Sequence, residues 1–175
     1  QVEYKVRITD STGVQSLVNA EDNFTMKWND KRIYLMNYNR YANEVFQGEQ
    51  KNFAGKRILL GISDAKQIKA LKSENSRYIL FKVNGNLWRY DQHDKKATCL
   101  FTFSDGSNED VRADYKKHDV KVLSVTDEGN VDFLVYGYMN RGSHEGQMGV
   151  VFYHYDEENR MVQEKFFVPV STGFD

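Results

Sequence analysis

The stretch Val150–Val168, VVFYHYDEENRMVQEKFFV, has the pattern of a β-hairpin. An apolar and aromatic segment runs to Tyr155, a short polar segment follows, and a second apolar segment ends at Val168. Aromatic and β-branched residues favour strands, and the polar segment between them favours a turn. Two earlier stretches, RIYLMNYNRYANEVFQ (32–47) and NLWRYDQHDKKATCLFTF (86–103), have the same order of features. The chain is therefore predicted to contain a repeated unit.

Three leucines mark equivalent places in the repeat, because Leu17, Leu71 and Leu123 are separated by 54 and 52 residues. Each leucine is followed by a polar turn, an aromatic strand, a short connection, a third strand that ends in tyrosine, and a closing strand. In the first unit the polar turn is predicted at Asn19–Asn23. The three tyrosines are Tyr38, Tyr90 and Tyr155, and the predicted units span about 14–49, 67–104 and 119–170. Residues 1–175 are expected to form a single domain.

Turn residues support this division into strands. Asn84-Gly85 is the strongest hairpin signal in the chain, because a type I′ turn needs two residues at positive φ. Asn29-Asp30 occupies the same place in the first unit, and Glu128–Asn130 predicts another turn. The single proline, Pro169, is expected near the end of an edge strand, where a missing N–H is tolerated.

One segment allows two interpretations. The stretch SDAKQIKALKSE (63–74) has Asp64 and Gln67 at the spacing of a capping box and contains several helix-forming residues. The repeat instead makes QIKAL (67–71) the first strand of the second unit. A helical turn at Asp64–Lys66 followed by the strand would reconcile both interpretations.

Composition limits the classes of function. The formal net charge is −1 and no polybasic tract occurs, so neither nucleic acid nor an anionic membrane is an expected partner. No apolar run is long enough to span a bilayer as a helix. The single cysteine excludes an internal disulfide framework and fits an exported bacterial protein as well as a cytoplasmic one. The start of the chain, QVEYKVRIT, is typical of a mature or excised form that has lost a leader or anchor.

Four antiparallel strands repeated at about fifty residues resemble the blades of bacterial β-propellers of the TolB-like and WD40-like kinds. The resemblance covers about residues 14–170 and is one of pattern, since the Gly-His and Trp-Asp signatures and the kelch double glycines are absent. It implies an all-β fold of four-stranded blades. Propellers close with four to eight blades, so three units imply a piece of a larger propeller, an open arc, or self-association. A β-sandwich is the alternative all-β fold.

The third unit contains a candidate ligand-binding loop. Its central connection is longer than in the other units and carries Arg141, His144 and Glu145 among glycines. Long loops on rigid repeats often bind ligands, although a longer hairpin without a binding role is the alternative. Trp28 and Trp88 lie near the central hairpins of their units. If they are exposed, they could stack on sugars or peptides; if they are buried, they pack between blades.

The stretch SDGSNED (104–110) is a candidate Ca²⁺ site because it concentrates oxygen ligands. Its ligand residues would be Asp105, Asn108, Glu109 and Asp110, and a solvated loop between blades is the alternative. No other cofactor is predicted. No paired histidines, nucleophile motif or zinc motif occurs, and Cys99 lies in an apolar strand where a cysteine is usually inert.

The sequence therefore favours a non-enzymatic binding module of a larger bacterial protein. The expected location is extracytoplasmic or at the cell surface, with the cytoplasm as the alternative, and the expected ligand is a protein, peptide or glycan. The alternative function is the propeller portion of an enzyme such as a glycoside hydrolase or a peptidase. That function would need converging carboxylates. The candidates are Asp105, Glu109, Asp132 and Glu145.

Overall fold

The computed structural model describes residues 1–54, 57–61, 68–104, 110–115 and 117–170. These residues form antiparallel β-sheets and two short 3₁₀ turns, so the predicted all-β class is confirmed. The chain divides into two compact units, residues 1–67 and residues 68–175. No helical segment in the described ranges has the length and apolarity to cross a bilayer.

The first unit is built around a three-stranded antiparallel meander with strand order β1-β2-β3. Its strands are β1 (Val2–Thr9), β2 (Gln15–Trp28) and β3 (Ile33–Glu44). The predicted turn at Asn29-Asp30 connects β2 to β3, where the Asn29 N–H donates to the Arg32 carbonyl at 3.1 Å. A 3₁₀ turn at Gln50–Asn52 and a two-stranded ladder of β4 (Phe53–Ala54) and β5 (Arg57–Ile58) follow.

The turn predicted at Asn19–Asn23 is wrong, because β2 continues through it. Asn19, Glu21 and Asn23 alternate with Ala20 and Asp22, which are buried. The first three side chains therefore share the opposite face of the strand. The pairs from Asn19–Asn43 to Asn23–Asn39 are in continuous register with β3, and the register shifts only beyond them, between Thr25 and Met26. The first predicted four-stranded unit is therefore a three-stranded sheet that includes β1.

A carboxylate lies at the centre of this sheet. Asp22 is 6% exposed and accepts hydrogen bonds from the Arg40 guanidinium at 2.6 and 2.9 Å. The hydroxyls of Tyr38 and Tyr4 also donate to it, at 2.9 and 3.1 Å. The hydrogen bonds from Arg40 hold the pKa of Asp22 well below its usual range. All three strands thus contribute to a satisfied polar cluster.

The depressed pKa of Asp22 makes stability depend on pH. Its contribution is complete above the pKa of an unfolded aspartate, about 4, and is lost as the pH falls from there towards the folded-state pKa. We expect the stability difference between the wild type and Asp22→Asn to shrink steadily below about pH 4. Urea unfolding followed by circular dichroism at a series of pH values measures that difference. A difference that is constant with pH would contradict the prediction.

The second unit contains two four-stranded antiparallel meanders, as the repeat predicted for its second and third units. The first sheet consists of β6 (Leu71–Lys72), β7 (Tyr78–Val83), β8 (Asn86–Asp91) and β9 (Lys96–Phe101). The second consists of β10 (His118–Val125), β11 (Val131–Tyr138), β12 (Met148–Asp156) and β13 (Met161–Pro169). Of the predicted strand QIKAL, residues 68–70 are not in a strand and Leu71 begins β6. Gln67 and the predicted turn at Asp64–Lys66 lie outside the described residues.

The predicted turns of the second unit are confirmed. Asn84 and Gly85 have φ values of 52° and 77° between β7 and β8, as a type I′ turn requires. Gly129, between β10 and β11, has a φ of 103°. Pro169 ends β13, which is an edge strand of its sheet.

The two four-stranded sheets share one hydrophobic core. Leu80 and Leu87 of the first sheet pack in it with Phe133 and Val151 of the second, and all four are at most 1% exposed. The sheets are not closed into a barrel or a propeller. Two sheets around a shared core agree with neighbouring blades and equally with a sandwich-like arrangement.

A buried arginine contacts side chains of both four-stranded sheets. Arg89 of β8 is 4% exposed and its guanidinium lies over the rings of Tyr78 and Tyr155, 4.7 and 4.9 Å from their centroids. It pairs with Glu157 at 2.6 Å and donates to the Gly129 carbonyl at 3.0 Å. Burial and the Glu157 hydrogen bond raise the pKa of Tyr155 to about 12. The charge is therefore compensated by groups from both sheets.

Candidate functional site

The candidate loop predicted in the third unit connects β11 to β12 and is held by its own backbone. The Met139 N–H donates to the Gln147 carbonyl, and the Gly146 N–H donates to the Met139 carbonyl, both at 2.9 Å. Gly142 and Gly146 have φ values of 90° and 85°, which side chains rarely adopt, so glycine suits both positions. The loop is a hydrogen-bonded turn structure that can hold side chains in place.

Asn140 joins this loop to the segment before β10. It is 2% exposed, and its Nδ2 donates to the carbonyls of Tyr115 and Ala113 at 2.8 and 3.3 Å. Its Oδ1 is buried without a hydrogen-bond partner among the described residues. The 3₁₀ turn at Val111–Asp114 is thereby held beside the loop.

Four charged side chains meet where these two segments touch, and we call them the charged cluster: Asp110, Arg112, Arg141 and Glu145. Asp110 accepts from the backbone N–H and the Nε of Arg112, both at 3.0 Å, and from its Nη2 at 2.8 Å. Arg141 donates to the same carboxylate. Arg112 also donates from Nη1 to Glu145, at 2.5 Å. The cluster therefore spans both segments and carries no net formal charge.

The charged cluster is accessible from solvent. The side chains of Arg112 and Glu145 are 57% and 40% exposed, whereas Asp110 is 18% exposed. Arginine offers five N–H donors in a planar fork, and each carboxylate offers several acceptor positions. Because the charges balance, the cluster does not select a ligand by charge. It presents fixed donors and acceptors suited to hydroxyl or amide groups.

His144 is directed to a different neighbour. Its Nε2 lies 2.7 Å from the Glu164 carboxylate, and its ring stacks on Phe167 with centroids 3.9 Å apart and planes at 15°. Glu164 and Phe167 belong to β13. His144 therefore links the loop to the edge strand β13. Its own side chain is 22% exposed.

The structure brings some of the predicted site residues together. Arg141 pairs with Asp110, one of the predicted calcium ligands, and Arg112 links Glu145 to the same carboxylate. Trp28 lies in the other compact unit, at the end of β2, and is 70% exposed. Trp88 is half-buried in β8, opposite Phe81. The two tryptophans are therefore in different environments, which their similar place in the repeat did not predict.

The calcium prediction rests mostly on residues that the structure does not describe. Asp105, Asn108 and Glu109 lie outside the described ranges. Both oxygens of Asp110 accept hydrogen bonds from arginine, which leaves that carboxylate a poor cation ligand. Within the described ranges, no three His, Cys, Asp or Glu side chains converge as metal ligands would. Calcium binding stays a prediction.

One row of side chains on the last sheet contains the residue types of a hydrolase triad. Asp132 accepts from the Ser124 hydroxyl at 3.0 Å and contacts His154 Nδ1 at 2.7 Å. In a working triad the imidazole lies between the serine and the aspartate, so that it can take the serine proton. Here the aspartate is in the middle and the row is not arranged for nucleophilic catalysis.

Burial also raises the pKa of the Cys99 thiol to about 11, so little thiolate forms at neutral pH.

Sequence reasoning missed several residues of this site. Arg112 is one of them, although an aspartate two residues before it is the pattern of an Asx turn, as the structure contains. Asn140 and Phe167 gave no local signal, because their roles depend on segments that meet only in the folded unit.

No family model, curated protein or solved structure matches the chain. The function is therefore inferred from the geometry of the site.

Proposed function

We propose that the chain is a non-enzymatic binding module, with the charged cluster and its loop as the ligand-binding surface. The observation that carries this proposal is an exposed guanidinium, that of Arg112, held in place by Asp110 and Glu145 on a hydrogen-bonded scaffold. A donor fixed in this way loses little conformational freedom when it binds. A protein, peptide or glycan ligand with neutral polar groups fits this surface best.

Binding is favoured over catalysis by the partners of the charged groups. Glu145 and Asp110 each accept hydrogen bonds from an arginine, so their oxygens are already occupied by donors within the cluster. A glycosidase needs two carboxylates that differ in protonation state on either side of the substrate. The enzyme function therefore has no specific support from the charged cluster.

We further propose that the two four-stranded sheets of the second unit are neighbouring blades of a propeller-like repeat. Their meander topology and shared core support this arrangement. In this proposal the chain is part of a larger bacterial protein outside the cytoplasm. A glycan or peptide ligand would be accessible there. A sandwich built from the same two sheets would present the same loop.

The binding proposal can be tested with glycan and peptide arrays. The 175-residue chain is labelled and compared with Arg112→Ala/Glu145→Ala, which removes one exposed charge of each sign. The matched control is Lys121→Ala/Glu158→Ala, which makes the same change in charge at exposed positions away from the cluster. We expect the cluster variant to lose at least tenfold in affinity for the probes that the wild type binds. The control should keep its affinity.

The melting temperature separates binding from folding. Exposed ion pairs contribute little to stability, so both variants should melt within about 3 °C of the wild type. Equal binding by the wild type and the cluster variant would overturn the proposal. Chemical conversion of a bound array probe by the wild type would favour the enzyme function instead.

A further inference from the structure

The hairpin formed by β2 and β3 extends beyond the end of β1. β1 pairs with β2 over residues 15–22, and among the described strands residues 23–28 of β2 pair with β3 alone. We call residues 24–38 the arm, and every one of them is exposed to solvent. A two-stranded ribbon is marginally stable in water by itself. A surface that packs against the arm would therefore stabilise it.

One face of the arm is apolar. Met26 lies opposite Leu35 in the register of β2 and β3. Two residues further along β2, Trp28 lies opposite Ile33. Residues directly opposite each other, and residues two apart on one strand, share a face of a sheet. We call these four side chains the apolar face of the arm, and they are 60–70% exposed. An exposed group of large apolar side chains marks a site of interaction.

The opposite face of the arm is basic. Lys27 lies there, opposite Tyr34. The Arg32 guanidinium lies 4.9 Å from the centroid of the Tyr34 ring, and its Nε donates to the Tyr34 hydroxyl at 2.7 Å. Lys31 is in the turn, and Asp30 is the one acidic residue of the arm. Three cations and one carboxylate give the arm a formal charge of +2, which the net charge of −1 for the whole chain did not indicate.

An element with one apolar and one basic face is typical of segments that lie in the surface of an anionic membrane. The apolar side chains enter the boundary between the headgroups and the acyl chains, and tryptophan is enriched at that depth. Lysine and arginine near the surface are attracted by anionic lipids. The arm combines these features, and its apolar side chains are already exposed, so the sheet need not rearrange to reach a membrane.

A second copy of the chain fits the arm less well. A stable protein interface needs about 800 Å² and roughly 20–30 residues from each partner. The apolar face supplies four large side chains, and a second arm would bring another formal charge of +2 beside the first. Like charges placed together weaken such a contact. An anionic lipid surface supplies the opposite charge and accepts a small apolar face.

We propose that the arm docks on an anionic lipid surface. Its apolar face lies at the headgroup boundary, and the positive charges of Lys27, Lys31 and Arg32 are attracted by the lipid. The proposal does not depend on the charged cluster or on the proposed binding function, since the arm and the cluster belong to different compact units.

Co-sedimentation with vesicles tests the proposal on the 175-residue chain. The two probes are vesicles of phosphatidylcholine with phosphatidylglycerol and vesicles of phosphatidylcholine alone. We expect the wild type to bind the anionic vesicles about tenfold or more tightly than the neutral ones, and salt to weaken that binding. The tryptophan emission of the wild type should shift to shorter wavelength with anionic vesicles. The shift should be absent in Trp28→Phe.

Two double variants separate the apolar from the electrostatic contribution. Trp28→Ala/Leu35→Ala removes half of the apolar face, and Lys27→Gln/Lys31→Gln removes two positive charges. Each variant should lose about tenfold or more in affinity for the anionic vesicles. The charge variant should also bind the two kinds of vesicle nearly equally.

The matched controls make the same kinds of change in the other compact unit. Phe166→Ala/Val168→Ala removes two side chains of β13 that are 51% and 50% exposed. Lys72→Gln/Lys121→Gln removes two exposed positive charges. Both controls should bind the anionic vesicles like the wild type.

Several outcomes would overturn the proposal. A wild type that binds neither kind of vesicle does so directly, and equal binding to both kinds excludes an anionic surface. Control variants that lose as much affinity as the arm variants place the contact elsewhere. Self-association without vesicles that Trp28→Ala/Leu35→Ala abolishes would assign the apolar face to a second copy. Circular dichroism confirms that each variant keeps its fold, and the array experiment tests the proposed binding function separately.

Discussion

Replacement of Arg89 by methionine is expected to lower the free energy of unfolding by about 3–5 kcal/mol. Methionine keeps much of the side-chain volume between Tyr78 and Tyr155 but removes the guanidinium. The Glu157 carboxylate, 26% exposed, then loses its ion pair, and the Gly129 carbonyl loses a donor. Breaking a buried pair from one side is costly, because the remaining charge is poorly solvated. Urea unfolding followed by Trp88 fluorescence, in a Trp28→Phe background, reports on this unit.

Arg77→Met is the matched control for Arg89→Met. Arg77 lies 5.0 Å from the same Tyr78 ring and pairs with Asp91 at 2.8 Å, but its side chain is 40% exposed. Its loss should cost clearly less than that of Arg89, because the buried Asp91 carboxylate keeps the backbone N–H donors of His93 and Asp94. Adding Glu157→Gln to Arg89→Met should recover part of the lost stability, since the unpaired charge is removed. Equal costs for the two arginine variants would contradict a special role for the buried guanidinium.

Phe133→Ala is expected to cost about 3–5 kcal/mol in the free energy of unfolding. Phe133 is fully buried in β11, where its ring stacks on Tyr153 with centroids 5.4 Å apart and also contacts Phe101 of the other sheet. Truncation removes buried apolar area and leaves a cavity between the sheets. The shift in the urea midpoint, with the slope of the transition unchanged, measures the loss.

Phe166→Ala is the control for Phe133→Ala. Phe166 lies in β13 with its ring 5.3 Å from Phe152, and it is 51% exposed. Its truncation should cost about 1 kcal/mol or less, because half of the side chain is already in water. A loss at Phe133 as small as that at Phe166 would show that the two sheets do not depend on a common core.

The second unit was predictable from the sequence because its signals are local. Asn84-Gly85 requires positive φ values, and alternation of apolar residues on both sides defines the strands. The hairpin Val150–Val168 was predicted in the same way and is formed by β12 and β13. Turn chemistry and side-chain period agree in these segments, so a single conformation satisfies both.

The β1-β2-β3 sheet was predicted wrongly because two signals in the sequence conflicted. Asn19–Asn23 has the composition of a turn, yet Asn19, Glu21 and Asn23 recur at every second position, which is the period of a strand. Asp22 interrupts that pattern in the sequence, although it is buried in the sheet. The decisive interaction is the pair of Asp22 with Arg40, whose residues are 18 positions apart in the sequence. The charged cluster was likewise only half visible, since Arg112 and Glu145 are 33 positions apart. Both depend on contacts that form only after the strands have paired.

The meander topology has a consequence for how quickly the protein folds. Every strand in the sheets described here pairs only with its neighbours along the chain, so each pairing closes a short loop. Short loops cost little entropy to close, and proteins rich in local contacts fold faster than those with distant pairings. Each sheet can also form on the ribosome before the next one has been synthesised. An all-β chain with this order of strands avoids much of the slow search typical of its class.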